Sequence, residues 1–305
     1  MTKTQKLQNL TVPKGKIDVV LDTDAYNEID DQFAIAYLLR SKEKCNTIAL
    51  YAAPFFNANS DSPKDGMEKS HAEILRILDL MGREDLKDVV YAGSVEYLKD
   101  EKTPVASAAA EDLVVRASCY SPERPLYVVA IGAITNVASA LLMKPEIAEK
   151  VVVVWLGGHS RHMPDTKEFN MRQDYAAARV VMRSGAPFVQ LPCGGTVDYF
   201  AISKPELQYW LEGKNPIADY LAKNTIQAAD SYAKGQPWTR VIWDVTAVGW
   251  LLNDEQQYMH SEILPVVLPN DEGQYEETLQ DTEMCYVDRI YRCPLMADLF
   301  EKLLR

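Results

Sequence analysis

The stretch Ile17-Asp18-Val19-Val20-Leu21-Asp22-Thr23-Asp24-Ala25-Tyr26-Asn27-Glu28-Ile29-Asp30-Asp31-Gln32-Phe33-Ala34-Ile35-Ala36-Tyr37-Leu38-Leu39 decides the fold. Residues 17–21 read as a strand, and residues 32–39 as a buried helix. Between them lies a turn with five carboxylates in the ten positions 22–31. The turn therefore falls at the carboxyl end of a strand, where open α/β sheets place their ligands. Asp22 and Asp24 share one strand face if the strand continues that far. Asp30 and Asp31 fall in the first turn of the helix. Carboxylates gathered this closely repel one another unless a cation neutralises them or a proton is taken up. Hard divalent cations prefer oxygen ligands of this kind. Helix capping by Asp30 and the helix dipole account for one or two of these acids, not for five. The turn is read as a metal or catalytic site.

The same rhythm continues outward. Apolar runs at 17–21, 47–53, 88–91, 126–131, 151–156 and 187–191 alternate with helical patterns at 31–40, 67–81, 104–117, 135–143 and 173–184. Strand, helix, strand at this spacing predicts βαβ units and a mainly parallel sheet flanked by helices, an α/β fold with a Rossmann-like core. Val151 to Leu156 is apolar on both faces, as a central strand requires. After Pro192 the rhythm changes. Helices are expected at 205–211, 216–233, after Asp244 and at 295–304, and strands near 262–268 and 284–290. No linker, repeat or low-complexity tract interrupts the chain. Residues 1–305 are expected to form a single domain, with 192–280 as an elaboration over the active face.

The bulk composition excludes several classes. With 305 residues, 47% of them hydrophobic, the chain can bury a sizeable core. Its net charge of -12 and the lack of a long basic run argue against binding a nucleic-acid backbone. Uncharged nucleosides and sugars remain compatible. The five scattered cysteines are odd in number and predict free thiols in a reducing compartment. The segment 1–16 lacks an apolar signal core, and no apolar run reaches membrane-spanning length. A cytoplasmic protein is expected. There is no HExxH and no Cys/His cluster, so zinc is not indicated.

Other segments can carry chemistry. Asn57 follows a strand in a polar loop; an Asn-rich turn is the plainer reading. Gly132-Ala133-Ile134-Thr135-Asn136 follows another strand and opens a helix; Thr135 is either its N-cap or a residue facing the acidic turn. Gly157-Gly158 ends the most buried strand, without dinucleotide-fingerprint spacing. His159, His162, Glu168 and Asn170 lie in the excursion that follows. Glu168 and Asn170 can aim at one hydroxyl-rich ligand while Phe169 packs away. Asp244 precedes an apolar helix, where it can be a cap. Trp243 before it is more often core, though tryptophan also stacks on bases.

Taken together, these pieces resemble the inosine–uridine-preferring nucleoside hydrolase family. The resemblance rests on DTDAYNEIDDQFAIAYLL at 22–39, AIGAITNVASALL at 130–142, WLGG at 155–158, KEFN at 167–170 and WDVTAVG at 243–249. It implies a Ca²⁺-dependent enzyme cleaving the N-glycosidic bond of ribonucleosides, usually a homodimer or homotetramer. It further implies that Asp24, Asp31 and Asp244 supply calcium carboxylates, Thr135 a backbone carbonyl, and Asp24 the base that activates water. Asp30, Asn170 and Asp244 would hold the ribose 2′ and 3′ hydroxyls, Glu168 the 5′ side, and Asn57 would stand near the sugar.

The chain departs from the family pattern in two places that matter. Five residues, Ala25 to Ile29, separate Asp24 from Asp30 where the family has three, so Asn27 or Glu28 can reach the site. Trp243 stands where a histidine commonly protonates the leaving base. His159, His162, Tyr232, Trp238, Arg240 and Trp243 are the candidates for contact with that base. Three alternatives stay open: a hydrolase of a modified nucleoside or other N-ribosyl compound, a non-catalytic nucleoside or sugar binder, and a phosphatase suggested by the Asp-x-Asp after a strand.

Overall fold

In a computed structural model describing residues 1–305, the first strand, β1 (Ile17–Thr23), runs two residues further than its apolar core. It is followed by β2 (Cys45–Ala52), β3 (Val90–Ala92), β4 (Leu126–Ala130), β5 (Val151–Leu156) and β6 (Phe188–Leu191). After two short strands, β7 (Ala201–Ser203) and β8 (Thr239–Val241), the chain returns with β9 (Met259–Pro269) and β10 (Tyr275–Ile290). Eight strands form one sheet in the order β3-β2-β1-β4-β5-β6-β10-β9, and β7 and β8 pair antiparallel as a separate ribbon. All neighbours in the main sheet are parallel except β9 and β10. The fold is thus α/β with a mostly parallel sheet.

The strand order reverses between β1 and β4. That point is a crevice at the carboxyl ends of two strands whose connections leave in opposite directions. The acidic turn follows β1 at this crevice, and Ile131-Gly132 follows β4 beside it.

Helices α1 (Lys3–Asn9), α2 (Asp30–Arg40), α3 (Pro63–Met81), α4 (Ala108–Ser118), α5 (Thr135–Met143), α6 (Phe169–Gln173) and α7 (Tyr175–Arg183) accompany the first six strands. Helices α8 (Lys204–Trp210), α9 (Pro216–Ala233), α10 (Val245–Leu251) and α11 (Arg292–Leu303) complete the chain. The sheet divides the interior into two cores, and alternate residues of one strand enter opposite cores. Val152, Val154 and Leu156 of β5 pack with α2, α9 and α10, while Val151, Val153 and Trp155 pack with α4, α5 and α7.

Some boundaries differ from the expected ones for local reasons. The helix expected at 67–81 starts at Pro63, whose fixed φ suits a first helical position, behind the N-cap Ser62. The pattern at 173–184 divides at Asp174, which ends α6 and whose carboxylate accepts from the Ala177 N–H to begin α7. The late strands are longer than expected because they pair with each other as a hairpin. α1 was not expected; only its Asn9 is buried, where Nδ2 donates to the Pro122 carbonyl at 2.9 Å. All five cysteines are free thiols. No helix is long and apolar enough to cross a membrane.

Candidate active site

Asp24 is the first residue beyond β1, and both its carboxylate oxygens are buried without a hydrogen-bond partner. Asp31 stands one helical step into α2, where its Oδ1 accepts from the Thr23 hydroxyl at 2.5 Å. Asp30 precedes it, with Oδ2 unpartnered. Asp244 is the N-cap position of α10, yet its side chain caps nothing; its Oδ1 is also unpartnered. Oxygens of Asp30, Asp31 and Asp244 lie within 4.8 Å of one another. Asp24 borders the same small cavity, of about 30 Å³. Asn27 and Glu28 of the lengthened turn line it as well, with Ile131, Glu168, Phe169, Asn170 and Trp243.

Burial is the main cause of the unusual protonation of these acids. Asp31 is pushed up to about 7, opposed by its bond to Thr23. Asp24 is raised well above the carboxylate range by burial and then by the charges of Asp31 and Asp30. Asp244 is raised by burial and by Asp30, Asp31 and Asp24. Asp30 is raised by burial and by Glu28, with Arg240 opposing. Buried carboxylates that lack donors and repel one another are the arrangement a hard cation would relieve. The donor set fits such an ion: it is all oxygen, with unused oxygens on Asp24, Asp30 and Asp244.

Glu168 is fixed by three backbone N–H groups. Its Oε1 accepts from Asn170 at 2.8 Å, and its Oε2 from Gly158 at 2.9 Å and Met171 at 3.0 Å. It thereby caps α6 and fixes Asn170 in the first turn of that helix. The Asn170 Nδ2 donates to the carbonyls of Ile131 at 3.0 Å and Leu156 at 3.1 Å, joining the ends of β4 and β5. Phe169 lines the cavity instead of packing away, and the Arg172 guanidinium lies over its ring at 5.3 Å.

The other candidate residues sort by position. Thr135 does not line the cavity; its hydroxyl donates to Asp174 at 2.7 Å. Ile131, four residues earlier, does line it, a position that the sequence marked only as the end of a strand. Asn57 stands behind the lining and donates from Nδ2 to the Asn27 side chain. His159 Nδ1 accepts from the Gly194 N–H at 3.0 Å, and His162 lies against Gly195; neither borders the cavity. Tyr232 is exposed, and Trp238 Nε1 donates to Asp230 at 3.3 Å. Trp243 borders the cavity directly, and Arg240 reaches it through an ion pair with Glu28 at 2.6 Å.

The chain matches the inosine-uridine preferring nucleoside hydrolase family over residues 19–289 and belongs to that family. It is an enzyme, a nucleoside hydrolase. It is 27% identical to the non-specific ribonucleoside hydrolase RihC of Salmonella typhimurium, over 86% of each chain. It is also 27% identical to the pyrimidine-specific ribonucleoside hydrolase RihA of an Enterobacter species, over 78% of this chain and 80% of that one. In fold it is similar to the plant nucleoside hydrolase PpNRh1, with a TM-score of 0.75 at 19% identity, over 96% of this chain and 99% of that one. A purine-preferring ribonucleoside hydrolase from Gardnerella vaginalis superposes with a TM-score of 0.73 at 21% identity, over 94% and 98%.

Proposed function

We propose that this enzyme hydrolyses the N-glycosidic bond of ribonucleosides to free base and ribose, with Ca²⁺ bound by Asp24, Asp31 and Asp244. The observation that carries the reading is the group of four buried aspartates around one cavity at the sheet's reversal point, three of which, Asp24, Asp30 and Asp244, carry unpartnered oxygens. Asp30 completes the group and can serve either the ion or the ribose diol. For a backbone carbonyl ligand, the lining favours Ile131 over Thr135.

The bound ion would supply charge that polarises a water and fixes the ribose diol. Asp24 would accept a proton from the attacking water. Asp30, Asp244 and Asn170 would orient the 2′ and 3′ hydroxyls, and Glu168 the 5′ side, so that the anomeric carbon faces that water. The clustered carboxylates would stabilise the positive charge that develops on the sugar ring. Asn57 would act on the sugar through Asn27, which it holds. Trp243 at the cavity wall supports stacking on the base and a modest preference for purine over pyrimidine. A second reading, hydrolysis of another N-ribosyl compound, is favoured by the absence of a histidine among the residues lining the cavity. Residues 192–280 are taken as an elaboration of a single domain, with the β7–β8 ribbon leading to Trp243 and Asp244. A homodimer or homotetramer in the cytoplasm completes the reading.

The test is to incubate the purified protein with a panel of ribo- and deoxyribonucleosides, with Ca²⁺ and after chelation, and to quantify free base and ribose. Calcium-dependent release is expected, with kcat/KM higher for inosine than for uridine. Asp24→Ala and Asp31→Ala should each lower kcat by about 100-fold or more, and Asp31→Ala should also weaken Ca²⁺ binding in calorimetry. Release unaffected by chelation would remove calcium from the scheme. Full activity in either variant would remove the assignment of that residue.

A further inference from the structure

We propose that Arg240 is the group that stabilises the departing base, with Glu28 of the lengthened turn holding its guanidinium in place. The inference rests on the nucleoside hydrolase reading and names the leaving-group residue that reading lacks.

Arg240 belongs to β8, and Glu28 lies 212 positions earlier; Nη2 of the arginine donates to Oε2 of the glutamate at 2.6 Å. The pair joins the β7–β8 ribbon to the turn that follows β1. Glu28 and Trp243 both line the cavity, and the guanidinium is tied to that lining through Glu28. The lining contains six carboxylates and no lysine, arginine or histidine. A cation beside a site for a divalent ion and a positively charged transition state works against both, unless something negative needs it. Glu28 and Asp30 both lend it negative charge, yet neither takes its Nε. The Arg240 Nε is buried and meets no acceptor. One edge of a fork with five donors is therefore committed to Glu28, and another N–H is free.

The chemistry supplies a negative partner. Water oxygen bonds to the anomeric carbon, the water proton passes to Asp24, and the C1′–N bond breaks with its electron pair moving to the base nitrogen. Negative charge then spreads over the base and its carbonyl oxygens. An arginine does not give up its proton at neutral pH. It stabilises that charge by hydrogen bonding; on release the base takes a proton from water, and the hydroxide so formed receives the proton held by Asp24. This places the preference on bases bearing ring carbonyls, such as hypoxanthine and uracil, over adenine. The cavity of about 30 Å³ holds little more than a water. A base therefore enters by displacing the lining at Trp243 and at Glu28, the residue that holds Arg240.

The experiment compares inosine with p-nitrophenyl riboside, whose leaving group is a stable anion without assistance. In Arg240→Met, the ratio of kcat/KM for inosine over that for p-nitrophenyl riboside should fall by about 100-fold, and Arg240→Lys should recover part of it. The double variant Arg240→Met/Glu28→Gln should keep the lowered ratio. An unchanged ratio in Arg240→Met, whether both activities persist or fall together, would overturn the proposal. So would restoration of the ratio in the double variant, because the arginine would then serve only to neutralise Glu28. A wild-type enzyme inert toward every riboside would instead overturn the hydrolase reading, and the proposal with it.

Discussion

Gly132 has no side chain because Asp24 occupies the place one would take. A Cβ built there would stand 3.0 Å from the Asp24 carboxyl carbon and Oδ1, and 3.1 Å from the Ala53 Cβ. Contacts that short force a neighbour to give way, and in a close-packed interior the displacement is transmitted. Asp24 is also the side chain with no hydrogen bond to hold it. Gly132→Ala should therefore shift the proposed base by a few tenths of an ångström. The expected outcome is a loss of kcat of about 10-fold or more, since small misplacements of reacting groups are costly. The melting temperature should change little by comparison. Steady-state kinetics beside thermal unfolding checks this; unchanged kcat would mean that Asp24 is not position-sensitive.

At the scale of elements, the lengthened turn is held from two sides. Asn57 and Asn59 grip Asn27 through its side chain and carbonyl. On the other side, Gln32 Nε2 donates to the Glu73 carboxylate at 2.9 Å and, more weakly, to the Ala25 carbonyl at 3.4 Å. The Tyr220 hydroxyl donates to the same carboxylate, so α2, α3 and α9 meet at Glu73. Glu73→Ala would leave the Gln32 amide and the Tyr220 hydroxyl without this acceptor in a buried place. A loss of stability of about 2 kcal/mol is expected, measured by urea unfolding; a change within ±0.5 kcal/mol, the usual range for surface substitutions, would show that water replaces the carboxylate.

The sequence made the alternating elements legible because apolar periodicity records burial directly. The acidic turn was legible because five acids exceed what helix capping can use. Glu28 and Asn27 could be named as alternatives from the extra turn length alone. That both line the cavity could not, since contacts from Asn57, Asn59 and Arg240 hold them there from distant positions. Ile131 reads as core in the sequence, because its place in the cavity lining depends on its position at the end of β4. His159 and His162 lie outside the cavity lining; His159 satisfies the backbone of the 193–197 turn, and composition cannot distinguish that from catalysis.

Across the whole molecule, four of the 44 acidic residues, Asp24, Asp30, Asp31 and Asp244, are buried together around one cavity. This inverts the usual pH dependence of carboxylates. Asp22 and Asp31 are raised to about 7, and the other three lie well above their ordinary value, burial being the first cause in each case. Between about pH 4 and 7 the folded chain without metal then binds more protons than the unfolded chain, whose carboxyls titrate near 4. Stability falls as pH rises wherever the native state holds the extra protons. The chelated protein should lose about 3 °C or more in melting temperature between pH 5 and pH 8. A divalent cation binds the ionised cluster and competes with those protons. Added Ca²⁺ should therefore raise the melting temperature more at pH 8 than at pH 5, by mass action on the folded state. Calorimetric scans at the two pH values, with chelator and with Ca²⁺, check both signs. A chelated protein more stable at pH 8 than at pH 5 would show that the cluster is already ionised and compensated without metal, and would count against a cation as its partner.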